Sequence, residues 1–167
     1  MTEHLTRKGL LAGGAVGAAA MVAASPAPAH DRDDDDGIVG SWYGRVTADD
    51  PALGSFEELI SFHRDGIVTD AHRLYIPATP FGPLLETSGH GAWKSTRNGY
   101  TAFFRFLLQQ APPSAGAAVG TDNVRLNIRL ERGGNRFSGR FESTIRDTAG
   151  NAVFTATGDI AGERIIA

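Results

Sequence analysis

The 167-residue chain has no cysteine, which excludes a disulfide framework, a thiolate metal site and a cysteine nucleophile. It has no Gly-x-Ser-x-Gly elbow, which weakens the case for a serine hydrolase. It has no internal repeat, so one domain is the natural expectation for its length. Beyond the N-terminal region no window carries a helical period, so helix content should be small. Charge of one sign is lacking too: 16 Lys and Arg stand against 19 Asp and Glu. The basic residues are scattered singly along the chain, which gives no stripe for nucleic acid.

The longest uncharged run lies at the N-terminus. Arg7 and Lys8 precede an Ala/Gly/Val/Leu stretch from Gly9 to Ala24, and Ala27-Pro28-Ala29 offers a small-x-small cleavage pattern. Residues 1–29 therefore read as an export signal, giving a secreted or extracytoplasmic protein with no stable membrane span once the signal is removed. Thr6-Arg7-Lys8-Gly9-Leu10-Leu11 resembles a twin-arginine signal with Lys in the second basic position; the general secretory route is the other option. Residues 30–36, His-Asp-Arg-Asp-Asp-Asp-Asp, have nothing apolar to bury and read as a disordered acidic leader. They lack the spaced ligands and central glycine of a calcium loop. Residues 37–167 remain as the single folded domain.

What that domain contains is alternation. Val124, Leu126, Ile128 and Leu130 alternate with polar residues; Gly133-Gly134-Asn135 intervenes; Phe137, Phe141 and Ile145 then resume the period. A two-residue period puts the apolar side chains on one face, and Gly and Asn accept the positive φ of a tight hairpin. Similar runs occupy Gly37–Thr47, Ser55–Phe62, Ile67–Ile76, Leu84–Thr87, Ala92–Ser95, Tyr100–Gln109 and Ala152 to about Ala161. Arg64-Asp65-Gly66 and Asn98-Gly99 are hairpin turns. Pro77–Pro83, with its prolines, reads as a surface loop or lid, and Ala111–Gly120 as an open loop. The expectation is an all-β fold: about eight strands in an antiparallel up-and-down β-barrel, closed because closure removes exposed edges. At eight strands the interior is either filled or holds one small ligand.

Gly40-Ser41-Trp42 at the head of the first strand resembles the lipocalin-like (calycin) signature. That resemblance implies that Trp42 closes the narrow end, that a late arginine, Arg164 or else Arg146, packs over it, and that a hydrophobic ligand sits in the mouth. Thr121-Asp122-Asn123 resembles the family's second motif in part, without its aromatic residue. The chain is also similar in outline to small secreted barrels of the allene oxide cyclase and dirigent type.

Several residues could carry chemistry. Asp70 and His72 share a strand face with Val68, Leu74 and Ile76, while Tyr75 lies on the other. A carboxylate beside a histidine suits an oriented general base. The apolar residues divide between the two faces, however, so an outward, solvated placement is favoured. Glu58, on the face of Phe56, Ile60 and Phe62, is an inward carboxyl, partly wet near a mouth or, if buried, a proton holder. His63 should sit on a rim; His90, between two glycines, suits a position beside a ligand. His63, His72, His90 and Asp70 match no compact ligand motif, so no metal is expected, and no cofactor.

The first functional expectation is a secreted barrel binding a small hydrophobic or amphipathic molecule, with Trp93, Phe104, Phe106, Glu58 and His90 around it. The alternative is a cofactor-independent cyclase or isomerase for a hydrophobic substrate, with Asp70, His72, Tyr75 or Glu58 moving a proton. The third is a structural or interaction barrel with a filled core, which predicts an exposed apolar patch or a symmetric homo-oligomer interface.

Overall fold

The computed structural model describes residues 37–166 except Leu74, Pro77, Ala78, Pro80, Ser114 and Ala115. The export signal and the acidic leader expected at 1–29 and 30–36 lie outside the described residues, as do three residues of the Pro77–Pro83 loop. Ten strand segments follow one another: β1 (Gly40–Ala48), β2 (Ser55–Phe62), β3 (Ile67–His72), β4 (Tyr75–Ile76), β5 (Leu84–Glu86), β6 (Gly89–Thr96), β7 (Gly99–Gln110), β8 (Ala118–Leu130), β9 (Arg136–Asp147) and β10 (Ala152–Arg164). β5 and β6 lie in succession along one edge of β7, so β3 with β4 and β5 with β6 behave as two interrupted strands. Every pairing is antiparallel, β10 pairs with β1, and β7 pairs with β8, which closes an eight-stranded up-and-down barrel. No helix occurs among the described residues.

Alternation explains the wall. Along β1, Trp42, Gly44 and Val46 are buried while Ser41, Tyr43, Arg45 and Thr47 are exposed, and β9 repeats the pattern with Phe137, Phe141, Ser143 and Ile145 buried. Gly133 and Gly134 take positive φ in the β8–β9 turn, as the hairpin requires. β8 begins at Ala118, six residues earlier than its apolar run. Gly120 is clamped between Leu108 of β7 and Asp147 of β9, so ladder hydrogen bonding carries the strand where the side-chain pattern is silent. Thr121-Asp122-Asn123 consequently lies inside a strand.

One end of the barrel is packed solid. Ile38, Trp42, Phe62, Trp93, Ile128 and Phe137 form its core. The ring of Trp42 meets Phe137 edge-on at 5.1 Å, and its indole N–H donates to the Ile38 carbonyl at 2.8 Å. The guanidinium of Arg164 covers the other face of the indole, 4.2 Å from the ring centroid. It donates to the carbonyls of Val39, Gly37 and Gly134, so the cation is paired with backbone as well as with a ring. Gly40 makes this closure sterically feasible: a Cβ there would lie 2.7 Å from Arg164 Nη1, and the residue holds φ of +135. The Gly40-Ser41-Trp42 spacing thus has a local cause, since the glycine clears the site that the arginine fills above the tryptophan.

Bare positions recur wherever a neighbour's side chain leans across. A Cβ on Gly44 would lie 3.0 Å from Glu58 Cγ, one on Gly89 would meet the Phe106 ring at 2.5 Å, and one on Gly162 would meet the Phe137 ring at 2.3 Å. The first and last are direct cross-strand pairs.

Candidate functional site

Above the packed end the barrel is hollow. A cavity of about 400 Å³ opens between the β1–β2 loop, the β3–β5 region and the far ends of β8 to β10. Val46, Phe56, Phe104, Phe106, Leu126 and Phe141 give it apolar walls. Volume and lining are those of a small-molecule site. Set into the wall is a polar cluster: Glu58 on β2, Asp70 and His72 on β3, Glu86 on β5, Asp122 on β8 and Ser143 on β9 all line the cavity.

The register explains how they meet. Glu58 pairs with Gly44 on one side and His72 on the other, and Asp70 pairs with Ile60 and Gly89. The small residues at Gly44 and Gly89 leave the two carboxyl groups their room. His72 Nδ1 lies 2.7 Å from Asp70 Oδ1 and Nε2 lies 2.9 Å from Glu86 Oε2, and the ring sits between Phe56 and Phe106. Burial opposes a charged ring here. The hydrogen bonds and charges of Asp70 and Glu86 outweigh it and push the His72 pKa up to about 10. His72 is therefore an imidazolium at neutral pH, donating from both nitrogens.

The remaining carboxyl groups go the other way. Burial, then the adjacent Asp70, push Glu58 well above the usual carboxylate range, with His72 a weaker opposing influence. Burial and the charge of Glu86 raise Asp122 to about 6, although the Ser143 hydroxyl, donating at 2.8 and 2.9 Å, partly stabilises its charge. Glu58 thus holds a proton in an apolar chamber. Glu58 Oε1, Asp70 Oδ2 and Glu86 Oε1 are buried and receive no hydrogen bond from another residue's donor; the Glu58 proton, shared with Asp70, can bridge the first two, and Glu86 Oε1 is costly unless something in the cavity supplies a donor.

The placement of several residues departs from expectation. Asp70 and His72 point inward, not to solvent, because β3 keeps the parity of buried Val68; its outward positions are Ile67 and Ala71. Glu58 is deep in the wall rather than wet at a rim, since it follows the parity of Ile60 and Phe62. Phe104 and Phe106 line the cavity. Trp93 does not: it packs against Phe62 and Tyr100 in the solid half and donates to the His63 carbonyl. His90 lies on the outer wall, because Gly89–Thr96 is a regular strand in which Gly89 takes the inward position. Tyr75 is likewise outward and about half exposed, and His63 is exposed. Glu86, Asp122 and Ser143 were not anticipated as site residues. Each stands two positions from an inward apolar residue, the buried Leu84, the half-buried Val124 or the buried Phe141, and that shared parity was the available signal.

Glu58, Asp70 and His72 offer ligand atoms within 4.8 Å of one another, close enough for one metal ion. As the side chains stand both ring nitrogens of His72 are engaged, by Asp70 and Glu86, so a metal would have to displace a proton and one of these hydrogen bonds to use it as a ligand.

Fold and cavity together define a closed eight-stranded antiparallel β-barrel with one packed end and one hollow end whose apolar wall carries a polar cluster. No family model matches the chain, and neither a curated protein nor a solved structure matches it.

Proposed function

We propose that this is an exported barrel that binds a small amphipathic molecule in its interior. The observation that carries the reading is the cavity: about 400 Å³ of largely apolar-walled space, with a buried cluster of carboxyl groups set into its wall. An apolar body gains by leaving water for such walls, and a polar head supplies the donor that Glu86 Oε1 lacks. A filled structural barrel accords poorly with a void of this size. The stopper of Trp42 beneath Arg164 supports a calycin-like placement of the ligand at the opposite end. Native mass spectrometry of protein purified from its source tests the reading. A retained small molecule is the expected result; an empty barrel that also excludes a neutral apolar dye in solution would overturn it.

Glu58 favours a second reading, a cofactor-independent cyclase or isomerase. A carboxyl group that keeps its proton inside an apolar chamber, beside an Asp70–His72–Glu86 chain, has what general acid catalysis on a hydrophobic substrate needs. In this reading Glu58 delivers the proton and His72 fixes Asp70 and Glu86, while Tyr75 has no part because it lies outside. Turnover abolished in Glu58→Gln with binding retained supports it; unchanged turnover removes it.

A further inference from the structure

Resting on the interior-binding reading, the ligand's head group can be specified. We infer that the polar wall receives the ammonium group of a small amphipathic amine and turns away carboxylates. The wall is built almost wholly of acceptors. Glu58, Asp70, Glu86 and Asp122 bring four carboxyl groups to the cavity, and His72 is the single buried cation among them, already committed to Asp70 and Glu86. The side chains of Asp70 and Glu86 are 1% and 4% exposed, yet each presents one oxygen that receives no hydrogen bond from another residue's donor, and Glu58 presents a third. The proton held by Glu58 is shared with Asp70 and can pair those two carboxyl groups, leaving Glu86 Oε1 as the acceptor to be met from the cavity.

A primary ammonium group carries three donors and a positive charge, so it meets both deficits at once. A hydroxyl supplies one donor and no charge. A carboxylate supplies neither and adds repulsion to a site already rich in anions. Arg73, the one other cation lining the cavity, is exposed and lies over the Phe56 ring at the mouth. It therefore does not offset the charge deeper in. Phe56 and Phe106 flank His72 and extend apolar wall away from the acceptors, which suits an aliphatic or aromatic body attached to the head.

The test is displacement of Nile red from the full chain at pH 7.5 by three ligands of one chain length: octylamine, octanol and octanoate. Octylamine should bind about tenfold more tightly than octanol, and octanoate at least about tenfold more weakly than octanol. Glu86→Gln should narrow the gap between amine and alcohol; where that variant fails to fold, the wild-type series alone decides. Octanoate binding as tightly as octylamine would overturn the inference while leaving interior binding intact, and so would equal affinity for amine and alcohol. Exclusion of Nile red and of all three ligands would instead overturn the interior-binding reading on which it rests.

Discussion

The two ends of the barrel are made from the same strands and the same inside-outside alternation, yet they solve opposite problems. At the packed end the inward positions hold aromatic and aliphatic side chains, with Gly162 bare beneath Phe137, and the charged Arg164 is spent on an indole face and three carbonyls. At the hollow end four carboxyl groups and a histidine interrupt the apolar inward positions, and some of their buried oxygens receive no hydrogen bond from another residue's donor. Stability is concentrated in the first and given up in the second. Buried polar groups that are only partly satisfied weaken a fold, and they persist at sites where they meet a ligand.

Mutation should separate the ends first by size of effect. Trp42→Ala opens a cavity beneath Arg164 and should cost about 3–5 kcal/mol in denaturant unfolding, whereas Phe56→Ala, on a wall already facing a void, should cost about 1 kcal/mol. Equal losses would break the distinction.

A second contrast lies in pH. Asp122 has a folded pKa of about 6 against a usual 3.8, so the folded state binds the extra proton and stability falls as pH rises between those values. Asp122→Asn removes that cost. Thermal unfolding should show it stabilised at pH 8 by on the order of 2–3 kcal/mol and little changed near pH 3.5. A variant no more stable than the parent at pH 8 would contradict the assigned burial.

His72 acts in a separate window with the same slope. Its folded pKa is raised to about 10 from 6.5, so its contribution is fully present below 6.5 and disappears as pH climbs through 10. The melting temperature should decline across that range, His72→Gln should flatten the decline, and the ring proton shifts followed by NMR should titrate near 10.

The smallest effect belongs to the outer surface near the mouth. Arg140 and the Thr157 hydroxyl both donate to Asp49, which begins the loop carrying Ala52 and Leu53 to the cavity. The Arg140 hydrogen bond, then that of Thr157, hold Asp49 down at about 2, so this strap persists above pH 3.8 and is lost as pH falls toward 2. Because the pair is exposed, Asp49→Asn should lower the melting temperature by only roughly 2 °C at pH 7, with faster ligand exit as the more sensitive readout.

The barrel was legible because most inward positions are apolar: Val124 to Ile145 declares two strands and their turn with little ambiguity. The site was less legible for the same reason. Asp70 and His72, judged by polarity, belong outside; judged by their two-residue offset from Val68, they belong inside, and closure of the sheet makes parity the deciding rule. His90 misled in the opposite sense, since flanking glycines that suggest a loop here belong to a strand whose neighbours, Phe103 and Phe106, press close to its backbone.

Gly162 and Phe137 face each other with no spare room between them, as do Gly44 and Glu58. In both pairs one residue's bulk is tolerated only by virtue of the other's bareness, so the space is joint property. Either member altered alone should be harmful, and related chains that change one should be found to have changed its partner. Gly162→Ala made together with Phe137→Leu should fold better than Gly162→Ala by itself, a rescue that treats two neighbouring strands as a single heritable unit of shape.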